Sequence, residues 1–451
     1  MGYDNKTDNI VFLFENYKSD TEKLHSSFKM AGMNYPTAVI DDNGFLPDDV
    51  ESIYGYFLGK YEKSDRVPGK PRYFNEIKVP EYWEISGNNT SGKVCEYNKE
   101  RARIYYTKPS HKRLVKTVDW LDDRGVVRSS DHYNKYGALY ARTIFNAKGH
   151  KVNKSYFSAT GAEIIVENYV TRDIILNEGN TINIFQSKTE LVCYYLEKKG
   201  YVQKRLFYNT LSTPFFVSQM LKGHEMGDVL FWQEGPREDI PGNMQAILNR
   251  QNTRTESIMV LNRHSYDRFV DKGVDKNIVQ PLGYIYDFKK INNHRPEALI
   301  CTNSEKIAHC EDIIKAIPDM NFTIVAITEM SSKLMSLDNY TNVTLYPNVK
   351  MKLLESLFAK CDYYLDINCE NEIVSAVETA FMHNHLIMAF NETLHNKAYV
   401  AGEHIYTMSD YERMIADIKS VMQDEKLMEK HIKMQHDAAG LEDVEEYSKL
   451  K

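Results

Sequence analysis

Apolar positions in the first sixty residues form a short unbroken run and then a helical spacing. IVFLF, residues 10–14, has the continuous apolar character of a strand buried on both faces. In DTEKLHSSFKMAG, Leu24, Phe28 and Ala31 recur at helical intervals and Gly32 supplies a stop. PTAVID, residues 36–41, reads as a second strand. The same alternation returns after residue 205. There DVLFWQ, IMVL, EALICT, NFTIVAIT, NVTLYP, YYLDI and HLIMAF read as strands, with helical patterns such as KMKLLESLFAKC between them. The last forty residues read as charged helix.

Residues 65–200 have another character: Tyr, Val, Thr and Ile rise, and D/N/S-x-x-G groups recur. Gly125, Gly137, Gly149 and Gly161 fall every twelve residues, each closing a group opened by Asp122, Asn134, Asn146 or Ser158. This is the chemistry of a type I turn followed by a left-handed glycine. The side-chain oxygen bonds the turn backbone, and glycine takes positive φ without steric cost. Repetition predicts an antiparallel meander of about five strands between residues 113 and 170. If Asp122 pairs with Val126 and parity carries through, Leu121, Val127, Tyr133, Leu139, Phe145, Phe157, Ile165 and Tyr169 share one face. Val118, Trp120, Tyr140, Ile144, Val152, Tyr156, Ile164 and Val166 share the other. Arg128, Arg142, Lys154 and Glu167 interrupt these faces, so neither is a clean core and the sheet reads as a docking platform. Trp120, Tyr133, Tyr140, Phe145, Tyr156 and Phe157 are its candidate partner contacts.

An all-β stretch within an α/β pattern predicts an insertion. The expected organisation is a Rossmann-like domain split into residues 1–65 and 205–290, an inserted β-sheet domain over 66–204, a second Rossmann-like domain over 291–430, and a helical tail over 431–451. A chain of 451 residues is too long for one core. A net charge of −7 argues against a nucleic-acid footprint. No apolar run reaches the ~18 residues of a membrane span. The start, MGYDNKTDNIVFLF, lacks a secretory signal, which weighs against an exported wall-binding repeat as the reading of the meander. Six cysteines without a C-x-x-C pair read as free thiols. His383 and His385 have no third ligand nearby and read as an exposed loop; no metal or cofactor is expected.

Two Rossmann-like domains with a final helix outline a GT-B glycosyltransferase, in which a sugar nucleotide needs helix N-termini and cations for its diphosphate. Those parts are eroded. The first strand leads into a turn without glycine, and Thr302 stands where a phosphate-clamping arginine belongs. Lys306 matches the accompanying lysine, and Glu370 and Glu378 keep an eight-residue spacing without the glycines around it. FWQEGPREDIPGNMQ instead begins as an apolar strand and exposes Trp232, Gln233 and Glu234 at its C-terminal end, where α/β folds bind ligands, with Asn243 and Met244 following.

The stretches NGFLPDDVESIYGYFLG, YFNEIKVPEYWEI, RLVKTVDWLDDRG, VLFWQEGPREDIPGNMQ, LGYIYDFKK, ALICTNSEKI, YLDIN and AFMHNHLIMAF span most of the chain in order. They resemble the non-catalytic GtfB-type subunits of bacterial O-GlcNAc transferase complexes that modify serine-rich-repeat adhesins. The resemblance implies a GT-B-like scaffold carrying an extended β-sheet domain. It further implies a catalytic GtfA-type partner that binds UDP-N-acetylglucosamine, and a heterotetramer peripheral at the cytoplasmic face of the membrane, serving accessory Sec export. The subunit would stabilise that partner and bind the Ser/Thr-rich acceptor, with Trp232, Gln233, Glu234, Asn243 and Met244 as acceptor-contact candidates. A GT-B enzyme active on its own is the alternative; it lacks a visible phosphate clamp.

Overall fold

A computed structural model describes residues 9–223, 227–251 and 253–451. The first eight residues of the chain start read above lie outside them. The chain forms two compact units, one running to Pro281 and including Ser448–Lys451, the other Leu282–Tyr447.

In the first unit a seven-stranded parallel sheet has the order Val279–Pro281, Thr255–Val260, Asp228–Trp232, Arg205–Tyr208, Ile10–Asn16, Thr37–Asp41, Glu51–Ser52. Ile10–Asn16 has parallel neighbours on both edges, which is why its sequence is apolar without alternation. The helix Ser19–Met30 buries Leu24 and Phe28 against this sheet, and Gly32 ends it at φ +71°. The strand Arg205–Tyr208 is new relative to the sequence reading. It is held at its start by a fully buried ion pair, Arg254 with Asp228, whose Oδ1 also accepts the Leu206 amide.

The stretch between these strands is a ten-stranded antiparallel meander in sequence order from Glu84–Gly87 to Thr181–Phe185. Its centre is the predicted five: Val115–Leu121, Val127–Tyr133, Leu139–Phe145, Lys151–Phe157 and Glu163–Asn168. All four turn glycines have positive φ, and the amides of Asp122, Asn134, Asn146 and Ser158 bond the carbonyls four residues on. Asp122 Oδ1 accepts from the Arg124 and Val126 amides, and Asn134 and Asn146 repeat the pattern.

The expected parity does not hold. Two residues beyond each closing pair the returning strand carries one extra residue, and the register shifts there. The extra residues are Arg128, Tyr140, Val152 and Ile164, again twelve apart. Each bulge reverses the odd–even assignment from one strand to the next. Val118 therefore lies opposite Asp131, then Arg142, Ser155, Val166, Ile175 and Ile184 across six further strands on one face.

This explains the half-apolar faces, because the sheet buries opposite faces in its two halves. Near its start Val94, Ala102, Ile104, Val118 and Tyr133 pack under Ile77. Near its end Tyr140, Ala141, Tyr156, Ile165, Ile174 and Leu176 pack from the other face onto Tyr54 and Leu58 of the helix Ile53–Leu58, and onto Leu191. Tyr133, Tyr140 and Tyr156 are thus buried in this chain's own cores rather than presented outward. Trp120 is half-buried and donates to Asp131; Phe145 and Phe157 are half-buried.

The second unit holds a six-stranded parallel sheet, ordered Val343–Tyr346, Asn321–Val325, Glu297–Cys301, Tyr363–Asp366, Leu386–Phe390, Ile405–Tyr406. His385 is fully buried with Nε2 at the Phe358 carbonyl, and His383 Nδ1 lies at the Thr379 carbonyl. The HNH segment is therefore packed structure, not the exposed loop expected.

The turns differ in one respect that unfolding can read. A Cβ on Gly149 meets no atom within 4 Å, whereas one on Gly137 would lie 2.4 Å from the Lys70 carbonyl oxygen. Gly149→Ala should cost about 1 kcal/mol for the positive φ alone, and Gly137→Ala on the order of 3 kcal/mol. Urea unfolding of the two variants measures the difference; equal losses would count against the Gly137 turn being pinned by its neighbouring loop.

Candidate functional site

In the first unit the chain adds strands on one side of Ile10–Asn16, then resumes on the other side with Arg205–Tyr208. A crevice opens at such a reversal, at the carboxyl ends of the strands. Here it is polar. Thr213 donates its amide to Glu15 Oε2 at 3.1 Å, and Glu15's own amide donates to Asn209 Oδ1 at 3.3 Å. Asn209 Nδ2 donates to Thr21 Oγ1 at 2.9 Å and to Gln233 Oε1 at 3.2 Å. Burial, and then the Asp41 carboxylate, raise the pKa of Glu15. On the side toward Asp228–Trp232 lies a groove of about 630 Å³ lined by Thr210, Ser212, Phe216, Glu234, Arg237 and Asn243 among others.

The candidate acceptor residues divide. Glu234 and Asn243 line the groove; Glu234 pairs with Arg237, and Asn243 Nδ2 is fixed by the Leu211 carbonyl at 2.9 Å. Gln233 is a brace, donating to the Asp20 carbonyl at 2.7 Å. Trp232 is only 1% exposed and Met244 is fully buried, because both complete the domain core. The sequence reading of Trp232 as exposed is therefore corrected. Trp232 still borders the groove, Arg237 lies over its ring at 5.5 Å, and its buried indole N–H has no protein partner among the described residues. An unmet buried donor beside a groove is what a ligand acceptor satisfies. Sequence reasoning missed Glu15, Asn209, Thr213 and Phe216. The polar run NTLST directly after RLFY was the signal, had the strand been recognised.

The second unit reverses between Glu297–Cys301 and Tyr363–Asp366, and polar side chains at that end of the sheet pair with one another. Lys306 and Glu370 are brought together as an ion pair at 2.6 Å. Thr302 Oγ1 donates to the Ser304 carbonyl or to Asn368 Oδ1, at 2.8 and 2.9 Å. Glu378 is not part of that group and accepts from the Tyr399 hydroxyl at 2.7 Å. His395, absent from the sequence reading, bridges Asp366 Oδ1 at 2.5 Å and the Glu370 carbonyl at 2.7 Å. The hydrogen bond to Asp366 holds the His395 pKa up at about 9. Glu372 Oε1 accepts the Val377 amide at 2.9 Å. Lys306 and the Val377 amide thus each face a carboxylate of this chain. No cluster of potential metal ligands occurs among the described residues.

Family models match the chain in order: the GtfB N-terminal domain over residues 11–57, the GtfB middle domain over 83–186, the GtfB third domain over 188–271, and the GftB/GlyA-F C-terminal domain over 298–435. The GtfB stabilizing protein of a UDP-N-acetylglucosamine–peptide N-acetylglucosaminyltransferase from Streptococcus gordonii is 40% identical over 403 residues, 89% of each chain. This chain belongs to the GtfB family. The GtfB of Streptococcus pneumoniae serotype 4 is likewise 40% identical over 441 residues, 97% of this chain and 98% of its own. A chain in the crystal structure of a GtfA/B complex bound to UDP and GlcNAc superposes with a TM-score of 0.90 at 38% identity, covering 98% of both. The pneumococcal O-GlcNAc transferase GtfA shares the fold, with a TM-score of 0.53 at 11% identity over 98% of both chains. The GtfB middle domain coincides with the ten-stranded sheet, and the GT-B-like architecture is that of the family.

The His395–Asp366 pair makes a signed prediction. A histidine whose pKa rises on folding adds stability that is complete below its unfolded value, ~6.5, and is lost as pH climbs through the folded value. The stability difference between the wild type and His395→Gln should be largest near pH 6 and shrink toward pH 10. Denaturant unfolding at several pH values measures it; a difference that is flat or grows with pH would refute the assignment.

Proposed function

We propose that this chain is the non-catalytic subunit of a protein O-GlcNAc transferase. It stabilises a GtfA-type catalytic partner and holds a Ser/Thr-rich acceptor while the partner transfers N-acetylglucosamine from UDP-GlcNAc. The observation that carries this reading is the self-paired crevice of the second unit. Lys306 is neutralised by Glu370 and no arginine stands at position 302, so a sugar nucleotide finds no free clamp there. The first unit supports the acceptor role, with an open groove of hydroxyls, amide and aromatic side chains beside a polar crevice. Holding the peptide raises the local concentration of acceptor hydroxyls at the partner's donor site.

The inserted sheet, within residues 66–204, is the partner-docking domain. Its face opposite the Tyr54 core carries Ile144, Val166 and Ile175, and ends in Ile182 and Ile184, 65% and 60% exposed. The same reading includes a serine-rich-repeat adhesin as acceptor, a heterotetramer, and peripheral placement at the cytoplasmic membrane face. No described helix is long and apolar enough to cross a membrane.

Incubating a Ser/Thr-rich peptide and radiolabelled UDP-GlcNAc with this chain, with the partner, and with both tests the division of labour. Transfer should require the partner and be strongest in the mixture, with peptide capture by this chain alone. Transfer by this chain alone would overturn the proposal. For docking, the double variant Ile182→Asp/Ile184→Asp should lose co-purification with the partner while its own stability shifts by about 0.5 kcal/mol per site or less. Tyr156→Ala, by contrast, should cost roughly 3 kcal/mol of folding stability. Retained complex in the double variant would exclude that face.

A further inference from the structure

A cleft of about 720 Å³ lies on the face of the inserted sheet, against the packed segment of residues 65–78. It shares no lining residue with the groove near Trp232. Its floor is made by the strands Val115–Leu121, Val127–Tyr133 and Leu139–Phe145, each paired on both sides within the sheet. Trp120 and Phe157, both half-buried, give it apolar walls.

Its charges do not cancel. Arg142 is bound twice by the buried Asp131, at 2.5 and 3.0 Å, so that pair is neutral. Arg72 donates to the backbone carbonyls of Gly137, Glu76 and Arg66 at 2.6, 3.3 and 3.4 Å, and its charge is left over. The side chains of Arg66 and Lys78 pair with nothing among the described residues. Against these three cations the lining offers one further carboxylate, Asp65. Arg66 is nonetheless seated, because its guanidinium lies so close over Gly161 that a Cβ there would be 2.0 Å from Nη1.

Tyr133 points to a ligand independently. It is 8% exposed, Arg72 stands over its ring at 5.7 Å, and its hydroxyl meets no described residue. Burial, and then the Asp131 carboxylate, push its pKa up to about 12, so the hydroxyl stays a donor. A buried phenol without a partner, opening on a cleft of uncompensated cations, calls for an acceptor oxygen carrying negative charge. Guanidinium and ammonium groups suit phosphate oxygens. Inorganic phosphate alone would leave the rings of Trp120 and Phe157 uncovered. An extended peptide finds no sheet edge here, since the floor strands already have both neighbours. The volume falls within the ~300–1,000 Å³ of small-molecule sites.

We propose that this cleft binds a nucleoside phosphate, its phosphate oxygens on Arg66, Arg72, Lys78 and the Tyr133 hydroxyl and its base against Trp120 and Phe157. The site is apart from the crevices of both parallel sheets. It rests on the transferase-subunit reading only for the choice of UDP, the co-product of transfer, as the probe. Occupancy by a released nucleotide would tie the docking sheet of this chain to turnover by its partner.

Titration calorimetry of the full chain with UDP, uridine and inorganic phosphate tests the site. UDP should bind, with uridine and inorganic phosphate each at least about tenfold weaker. Arg66→Ala and Lys78→Ala should each weaken UDP about tenfold, and Tyr133→Phe, which keeps the ring, about fivefold. Arg66 and Lys78 are exposed, and a thermal melt of each variant checks its fold. Lys306→Ala should leave UDP binding unchanged. No UDP binding, or inorganic phosphate bound as tightly as UDP, would overturn the cleft assignment. UDP binding unmoved by Arg66→Ala and Lys78→Ala would do the same; if it falls with Lys306→Ala instead, the reading of the second unit as lacking a clamp falls too. Absence of UDP binding together with lost co-purification of Arg66→Glu/Lys78→Glu with the catalytic partner would give the cleft to an acidic segment of that partner, and the subunit reading would stand without this site.

Discussion

A buried carboxylate sets the arrangement of the first unit. Glu167, 4% exposed, accepts from the hydroxyls of Tyr169 at 2.8 Å, Tyr156 at 3.4 Å and Tyr54, with Lys188 3.8 Å away. Tyr54 and Tyr156 stack at 4.6 Å around it. Leaving such a charge unpaired costs several kcal/mol, so the sheet's second half docks on the helix Ile53–Leu58 in the one registry that seats Glu167 among these hydroxyls. The sheet's opposite face, ending in Ile182 and Ile184, is left uncovered.

The twelve-residue count in the sequence was a reliable guide to turns because turn chemistry is local. An Asp or Asn side chain bonding amides two and four residues on needs nothing from the rest of the fold. The faces were not legible, because each extra bulge residue, Arg128 to Ile164, is fixed by pairing with the neighbouring strand and has no composition of its own. One residue of slip turns every later side chain over. That is why Tyr140 and Tyr156 read as candidate partner contacts and are found in the core. The outer strands escaped notice for a related reason. Their turns, such as Tyr97–Asn98 and Gly179–Asn180, are of a different length and break the count.

The two parallel sheets show how far a site can be read from one chain. The missing arginine at Thr302 and the glycine-free first turn are single-position facts, visible directly. The pairs in the second unit join partners far apart in sequence, Lys306 with Glu370 and His395 with Asp366, so only the fold reveals them. In the first crevice the polar network draws on Glu15, Thr21, Asn209, Thr213 and Gln233, spread over more than two hundred residues. Trp232 and Met244 were read from the right segment and given the wrong burial, because an apolar strand end belongs to the core until a groove is seen beside it.

Stabilisation in such a pair is reciprocal. Thr181–Phe185 is the edge strand of the ten-stranded sheet, and it carries Ile182 and Ile184 on an open face. An uncovered edge with apolar side chains is a template for unwanted pairing. A partner that binds the folded form shifts the folding equilibrium toward it by mass action, and the linkage acts on both chains. The eroded donor groups of the second unit and the docking proposed for the inserted sheet are compatible in one fold, because they lie on separate sheets with separate cores.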